Sequence, residues 1–276
     1  MTDISKDDFA SLEFKGWSKP DVAQNYARGF AQAAQQCVPA LVSGARVKSG
    51  ARALDLCCGH GIVAEGLVAA GAQVMGLDFS PAMLDMARAR LPDAEFVEGD
   101  AMNLPFDDAA YRAVTIGFGM PHVPDPPQVL AEARRVLQTG GRLSYSVWNG
   151  EDENSAMAYV FQAIGVHGDA SIKLPPGPGA SDYGIRDVAT PALRDAGFGD
   201  IEFTIVPSRW QVNDPAAPFD FFLNGTVRGG SLLRPQPAAN ARAIRQSVID
   251  AVRSRHGASG PWTIPIPAVV VSATAV

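Results

Sequence analysis

Between residues 51 and 147, short apolar runs alternate with longer stretches rich in alanine and leucine. The apolar runs lie at 53–56, 73–77, 94–97, 113–118 and 142–147. This spacing is typical of strands joined by crossover connections, so the pattern predicts five parallel strands built from βαβ units. The connecting helices are predicted at 62–70, 81–91 and 127–137. Ser80 followed by Pro81 favours a helix start, because serine caps the first turn and proline fits its first position.

The flanking regions have a different pattern. Residues 20–43 are typical of a pair of amphipathic helices that cover one end of the sheet. After Trp148 the chain is rich in glycine and proline, and it then predicts a helix at 186–196 and two more strands at 201–206 and 268–273. The insertion between these strands is long enough to hold helices, such as one at 237–255, and we expect it to act as a lid. We predict a single domain with four parts: an N-terminal helical cover at 1–50, a cofactor-binding core at 51–206, the lid insertion at 207–260 and a terminal strand at 261–276.

Composition and charge narrow the class of protein. Of the 276 residues, 47% are hydrophobic and 19% are charged, as in folded globular domains. The 23 Lys and Arg against 29 Asp and Glu give a net charge of −6, and no basic cluster stands out along the chain, which argues against a nucleic-acid partner. The N-terminus is acidic, and no apolar stretch reaches the roughly 18 residues of a membrane span. We expect a cytoplasmic protein; a homodimer is compatible with the sequence.

A glycine-rich turn follows the first predicted strand. In ALDLCCGHGIVAEG, residues 53–66, Gly59, Gly61 and Ala64 match the dinucleotide fingerprint G-x-G-x-x-G/A. Asp78 follows Gly59 by 19 residues, at the end of the next strand, where a carboxylate can accept two ribose hydroxyls. The sequence therefore predicts a ligand that contains a nucleoside.

Asp55 bears on which nucleoside ligand this is. A pyrophosphate binds backbone N–H groups at a helix N-terminus, and a carboxylate at the end of the preceding strand would repel it. S-adenosylmethionine brings an ammonium and a sulfonium, which carboxylates stabilise. The residues favour S-adenosylmethionine over NAD(P), although an NAD(P)-dependent oxidoreductase remains the alternative that the fingerprint by itself allows.

Five motifs occur in the order of a known family. LDLCCGHG, the Asp78 in GLDFS, EGDAMNLPF, FGMPHVPDP and LQTGGRLSYSVW resemble the successive motifs of class I S-adenosylmethionine-dependent methyltransferases. The group that they resemble includes the ubiquinone and menaquinone methyltransferases and many enzymes that methylate small molecules. The resemblance covers residues 26–148 and implies a Rossmann-like, seven-stranded, mostly parallel sheet flanked by helices, with one antiparallel strand in the last pair and the lid insertion between the last two strands.

The resemblance also implies roles for individual residues. The methionine portion of the cofactor is expected to contact Tyr26, Asp55, Gly59, Gly61 and Phe118. The adenosine portion is expected to contact Asp78 through the ribose, Phe79 and Met83 through the adenine faces, and Asp100 with the Ala101 backbone through the adenine edge. This chain departs from the family pattern at Cys57, where glycine is common.

The remaining chemistry concerns catalysis and metal. His122 follows the fourth strand, at the edge of the sheet where reacting groups collect, and it is either a general base or a wall of the pocket. Cys57, Cys58 and His60 include zinc-ligand types, but adjacent cysteines at a strand end point to opposite faces, so we predict no metal. Aromatic residues in the flanking regions, such as Trp210 and Phe221, suggest a small apolar or aromatic methyl acceptor, unless they pack the lid. A non-catalytic, methyltransferase-like binding protein is the second alternative, and the acceptor and the methylated element are not determined.

Overall fold

The structure of the protein, a computed structural model, describes residues 6–29 and 31–276. The chain divides into two compact units. We call the first the helical unit; it comprises the described parts of Met1–Ala33, together with Asn149–Pro176 and Pro207–Pro267. We call the second the sheet unit; it comprises Ala34–Trp148, Gly177–Val206 and Ala268–Val276.

The sheet unit contains one seven-stranded sheet. Its strands are β1 (Arg52–Leu56), β2 (Gln73–Asp78), β3 (Glu95–Glu98), β4 (Tyr111–Gly117), β5 (Leu137–Trp148), β6 (Phe198–Val206) and β9 (Ala268–Ala275). Their order across the sheet is β3-β2-β1-β4-β5-β9-β6. Neighbours from β3 to β5 are parallel, whereas β9 runs antiparallel to both β5 and β6. This confirms the predicted mostly parallel sheet with one antiparallel strand.

The helices of the sheet unit precede or connect these strands. They are α4 (Val38–Ala45), α5 (Ile62–Ala69), α6 (Pro81–Arg90), α7 (Pro126–Val136) and α9 (Arg186–Asp195). The Ser80 side chain accepts from the Met83 N–H at 3.2 Å, which confirms the predicted cap of α6. Leu54 and Leu56 of β1 and Ile116 of β4 are fully buried in the core, because strands covered by helices on both faces have no solvent-facing side.

The helical unit contains mostly short helices and a two-stranded sheet. Its elements are α1 (Lys6–Trp17), α2 (Pro20–Gly29), α8 (Ala156–His167), β7 (Arg209–Val212), α10 (Ala217–Gly225), α11 (Val227–Leu233), α12 (Ala238–His256) and β8 (Trp262–Pro265), and α3 (Ala31–Gln35) spans the boundary between the units. Strands β7 and β8 pair antiparallel. No helix in the described part of the chain has the length and hydropathy that crossing a bilayer requires.

Several element bounds differ from the sequence predictions. The sequence predicts two helices at 20–43, whereas the structure has three in this region, α2, α3 and α4. The helices α1 and α8 were not predicted. Strand β5 begins at Leu137, five residues before the predicted start at Arg142, and runs through Gly140 and Gly141. Residues 262–265, which the prediction placed in the terminal strand, pair with β7 instead of joining the seven-stranded sheet. The single domain and the lid role of residues 207–260 stay predictions.

Candidate functional site

The glycine loop, residues 57–61, joins the carboxyl end of β1 to the first turn of α5. Gly59 and Gly61 have φ angles of +51° and +83°, in the left-handed region that glycine adopts without strain. A Cβ on Gly61 would lie 3.3 Å from the Ala87 Cβ, so the loop also needs glycine for its approach to α6. The loop leads directly into the N-terminus of α5, with Gly61 as the residue before its first turn, as the fingerprint predicts.

Asp78, at the end of β2, ties the neighbouring strand to this loop. Its Oδ2 accepts from the Gly59 N–H and its Oδ1 from the Ser80 N–H, both at 2.8 Å. The carboxylate is 7% exposed, and burial raises its pKa above the usual value, against the lowering effect of these two N–H groups. Each oxygen keeps a second lone pair, so the group can still accept ribose hydroxyls.

Asp55 lies beneath the loop in β1. It is fully buried, and the Thr115 hydroxyl in the paired strand β4 donates to its Oδ1 at 2.7 Å. Burial raises the pKa of Asp55 to about 7, although the Thr115 hydroxyl and the Ala64 N–H both lower it. Since the Asp55 carboxyl is not exposed, it has no direct access to a ligand above the loop in this structure.

The electrostatic field at the loop is negative. Burial is the largest cause that raises the pKa of the Cys57 thiol, and the charges of Asp78, Asp55 and Asp100 raise it further. Burial lowers the pKa of His60 to about 4, so this imidazole is neutral at pH 7. Arg90, which donates to the His60 carbonyl, is paired with Glu65 at 2.9 Å. The carboxylates of three strand ends therefore favour a cationic ligand at the loop and oppose a pyrophosphate.

The residues expected around the adenine follow β2 and β3. Phe79 is half-buried directly after Asp78, while Met83 is 5% exposed in the first turn of α6. Asp100 is exposed, and its Oδ1 accepts from the Met102 N–H at 2.8 Å, which fixes the turn that buries Ala101. These side chains belong to the same carboxyl edge of the sheet as the glycine loop, as predicted for one ligand.

Phe118 follows β4 and stacks on Trp148 at the end of β5. The ring centroids are 4.0 Å apart and the planes differ by 21°. Phe118 has a φ of +59°, which is unusual for a residue with a side chain, and its N–H is held by the Ser146 hydroxyl at 3.2 Å. The stack therefore fixes the loop that carries Phe118 to the neighbouring strand.

His122 closes the short 3₁₀ turn Met120–His122 after β4. The side chain is half-buried, and although burial raises the pKa of Asp78, the charge of His122 lowers it. The structure thus brings His122 to the candidate site. The electrostatic effect of His122 on Asp78 also gives it a second candidate role, in stabilising the charged form of that carboxylate.

Tyr26 and most of the flanking aromatic residues belong to the helical unit, where they pack on one another. The Tyr26 ring lies 5.3 Å from Trp17 and 6.3 Å from Phe221, and Trp210 lies 5.6 Å from Phe221. Trp17, Trp210, Phe221 and Phe222 are at most 7% exposed. These rings form the core of the helical unit, which favours the packing interpretation over an exposed acceptor wall.

Sequence reasoning missed two contacts in the sheet unit. Thr115 is the polar member of a buried strand, and a hydroxyl at such a position is itself a signal that a polar partner lies opposite. The stacking of Phe118 on Trp148 depends on the pairing of β4 with β5 and leaves no local signal.

Comparison with known proteins identifies the segment that carries this geometry. A sequence profile described as a methyltransferase domain matches residues 54–145. Residues 54–145 are therefore similar to a methyltransferase domain. This domain contains every predicted site residue except Tyr26, from Asp55 to His122.

The relatives of the methyltransferase domain agree with this result. A demethylmenaquinone methyltransferase of Staphylococcus epidermidis is 46% identical over 107 residues, which cover 37% of this chain and 44% of that protein. The chain thus spans less than half the length of this relative.

Solved structures are similar over most of the chain. One is from a Haloferax volcanii complex between the Trm112 methyltransferase activator and a methyltransferase; it is 23% identical, covers 95% of this chain and 96% of its own, and has a TM-score of 0.58. The YcgJ protein of Bacillus subtilis is 17% identical, covers 86% and 97%, and has a TM-score of 0.55. At these identities the likeness shows the fold.

Proposed function

We propose that the protein is an S-adenosylmethionine-dependent methyltransferase that acts on a small molecule. The observation that carries the proposal is the geometry of the glycine loop: Asp78 accepts the Gly59 N–H at 2.8 Å, Gly59 and Gly61 have positive φ angles, and Asp55 is buried in the strand that leads into the loop. A loop of this geometry accepts a nucleoside ligand, and the carboxylates select a cationic one. The methyltransferase domain over residues 54–145 supports the same cofactor.

The chain's own groups would share the work of binding. Asp78 would accept the ribose hydroxyls, Phe79 and Met83 would contact the adenine faces, and Asp100 with the Ala101 N–H would contact its edge. The start of α5 and the ring of Phe118 would hold the methionine portion. When bound, S-adenosylmethionine supplies an electrophilic methyl group on a sulfonium. Most of the acceleration would come from holding the acceptor atom in line with that methyl group.

His122 is the proposed general base. It lies in the turn after β4, at the same edge of the sheet as the glycine loop. Histidine is the side chain that most readily accepts a proton near neutral pH, so it would take the proton of an acceptor hydroxyl. Acceptors such as stabilised carbanions need only alignment, and with them His122 would form a wall of the pocket.

The proposed acceptor is a small apolar or aromatic molecule. The support comes from relatives of the methyltransferase domain that are named for demethylmenaquinone, over 37% of this chain. Because the helical unit lies outside the matched residues, a demethylated quinone is the first acceptor to test and not an assigned substrate. A cytoplasmic location, a homodimer and the absence of a nucleic-acid partner stay predictions.

The cofactor is tested by calorimetry with S-adenosylhomocysteine and NAD. We expect S-adenosylhomocysteine to bind and NAD to bind far more weakly, because the loop carboxylates repel its pyrophosphate. Preferential NAD binding would favour an oxidoreductase and contradict the proposal. Binding of S-adenosylhomocysteine without transfer of a labelled methyl group to any compound of a small-molecule extract would favour the non-catalytic alternative.

A further inference from the structure

The helical unit contains a cavity that the proposed function does not use. It has a volume of about 760 Å³ and lies between α1, α11 and the segment around Lys173. All of its lining residues belong to the helical unit. The volume is in the range of pockets that hold small molecules.

The inner wall of this cavity is apolar. A Cβ on Gly16 would overlap the Val227 side chain, so α1 and α11 approach closely here and close the base of the cavity. Val22 and Val227 are 2% and 3% exposed, and Leu12 and Pro175 are half-buried beside them. The wall offers a hydrophobic surface to the body of a ligand.

The rim of the cavity is cationic. Lys15, Lys19, Lys173 and Arg234 line it and are exposed, against one acidic side chain among its described lining residues, Asp8. Within residues 6–29 and 31–276, none of these four cations forms an ion pair or a side-chain hydrogen bond.

This concentration of positive charge contrasts with the net negative charge of the chain. The whole protein has a net charge of −6, and other cations are paired, such as Arg135 with Glu132 at 2.7 Å. Like charges gathered around one cavity repel one another, and a polyvalent anion removes that repulsion. A single carboxylate would neutralise only one of the four cations, whereas a phosphate or diphosphate group matches several.

We propose that this cavity binds a ligand that carries a phosphate or diphosphate group on an apolar body. The phosphate oxygens lie among Lys15, Lys19, Lys173 and Arg234, and the apolar body lies against Leu12 and Val227. The proposal is independent of the methyltransferase proposal, because it concerns other residues and is measured by binding alone.

The test uses the full chain and calorimetry at low ionic strength, with geranyl diphosphate and inorganic diphosphate as probes. We expect geranyl diphosphate to bind more tightly than inorganic diphosphate, and both to weaken as salt is added. The double variant Lys15→Gln/Lys173→Gln should bind geranyl diphosphate about tenfold more weakly or worse, because two charge-assisted hydrogen bonds are lost. All four substituted positions in the variant and its control are exposed, so thermal unfolding should be unchanged.

The matched control is Lys48→Gln/Arg242→Gln, which changes the net charge equally at two exposed cations outside the cavity. It should bind as the unsubstituted protein does. Equal weakening in both double variants, or no binding of geranyl diphosphate, would overturn the proposal; equal affinity for the two probes would overturn its apolar part.

Vesicles of phosphatidylcholine with and without phosphatidylglycerol identify the source of the phosphate group. Co-sedimentation with the anionic vesicles that Lys15→Gln/Lys173→Gln abolishes would assign the cavity to a lipid head group. Geranyl diphosphate binding without vesicle binding would assign it to a free phosphorylated molecule.

Discussion

Asp78 Oδ2 accepts the backbone N–H of Gly59 at 2.8 Å, across 19 residues of sequence. The bond joins the carboxyl end of β2 to the glycine loop after β1, and the Ser80 N–H occupies the other carboxylate oxygen. Asp78 is therefore part of the loop's structure before any ligand arrives. Its substitution should affect folding and cofactor binding together.

The first prediction separates these two effects of Asp78. Asp78→Ala leaves the Gly59 and Ser80 N–H groups without their acceptor, which should lower the free energy of unfolding by about 1–3 kcal/mol per group, less what water restores. Asp78→Asn keeps one acceptor oxygen and should lose less stability, yet it should still weaken S-adenosylhomocysteine binding. Urea unfolding and calorimetry measure the two quantities.

Asp85→Ala is the control, because Asp85 is exposed in α6 and its contact with Arg88 is 3.5 Å long between exposed groups. It should change neither quantity by more than about 0.5 kcal/mol. An unchanged affinity in folded Asp78→Asn would remove Asp78 from the ribose site.

The second prediction is a pH dependence that Asp55 causes. Its pKa is raised by burial to about 7, from 3.8 when unburied, so the folded protein holds this proton more tightly than the unfolded chain does. The contribution of Asp55 to the free energy of unfolding therefore falls as the pH rises from 3.8 to about 7 and is constant above that. At about 1.36 kcal/mol per pKa unit, the fall is at most about 4 kcal/mol.

Two variants isolate this contribution. Asp55→Asn keeps an acceptor for the Thr115 hydroxyl and should abolish the fall. Thr115→Val removes the hydrogen bond that lowers the pKa of Asp55 and should move the inflection to higher pH. Denaturant titrations across the pH range measure both. The same inflection in Asp55→Asn as in the unsubstituted protein would assign the titration to another group.

The third prediction distinguishes two roles of His122. If it is the base for an acceptor hydroxyl, His122→Ala should lower kcat by about 10²–10⁴ and leave the affinity for S-adenosylhomocysteine unchanged. If it positions Asp78, whose pKa its charge lowers, the affinity should fall with kcat. Unchanged values of both, with a true acceptor, would leave His122 as a wall of the pocket.

The fourth prediction concerns the contact between Cys57 and Gly119. A Cβ on Gly119 would lie 2.5 Å from the Cys57 Cβ and 2.8 Å from Ile116 Cγ2, so Gly119→Ala should destabilise the fold by about 1–3 kcal/mol. Cys57→Gly removes the clash with the Cys57 Cβ, and the φ of +51° at residue 57 suits glycine. The double variant should recover part of the loss, which a double-mutant cycle by urea unfolding measures. Strict additivity would show that the two positions do not interact.

The sequence by itself determined the sheet and the glycine loop at its edge. Short apolar runs separated by helix-length connections predict parallel strands, because a strand that is buried on both faces consists almost entirely of apolar residues. Gly59, Gly61 and Asp78 were recognisable because the turn, the helix start and the spacing to the next strand are local properties of the chain. The insertion was visible only as a length of sequence, and most of its helices carry no strong local signal.

The tertiary structure decided the contacts between residues that are distant in sequence. The pKa of Asp55 depends on burial and on Thr115, which the pairing of β1 with β4 places opposite it. No basic cluster is visible along the chain, yet the folded helical unit gathers Lys15, Lys173 and Arg234 around one cavity. The local charge density and the burial of a residue depend on its neighbours in space. The order of residues along the chain therefore does not predict them.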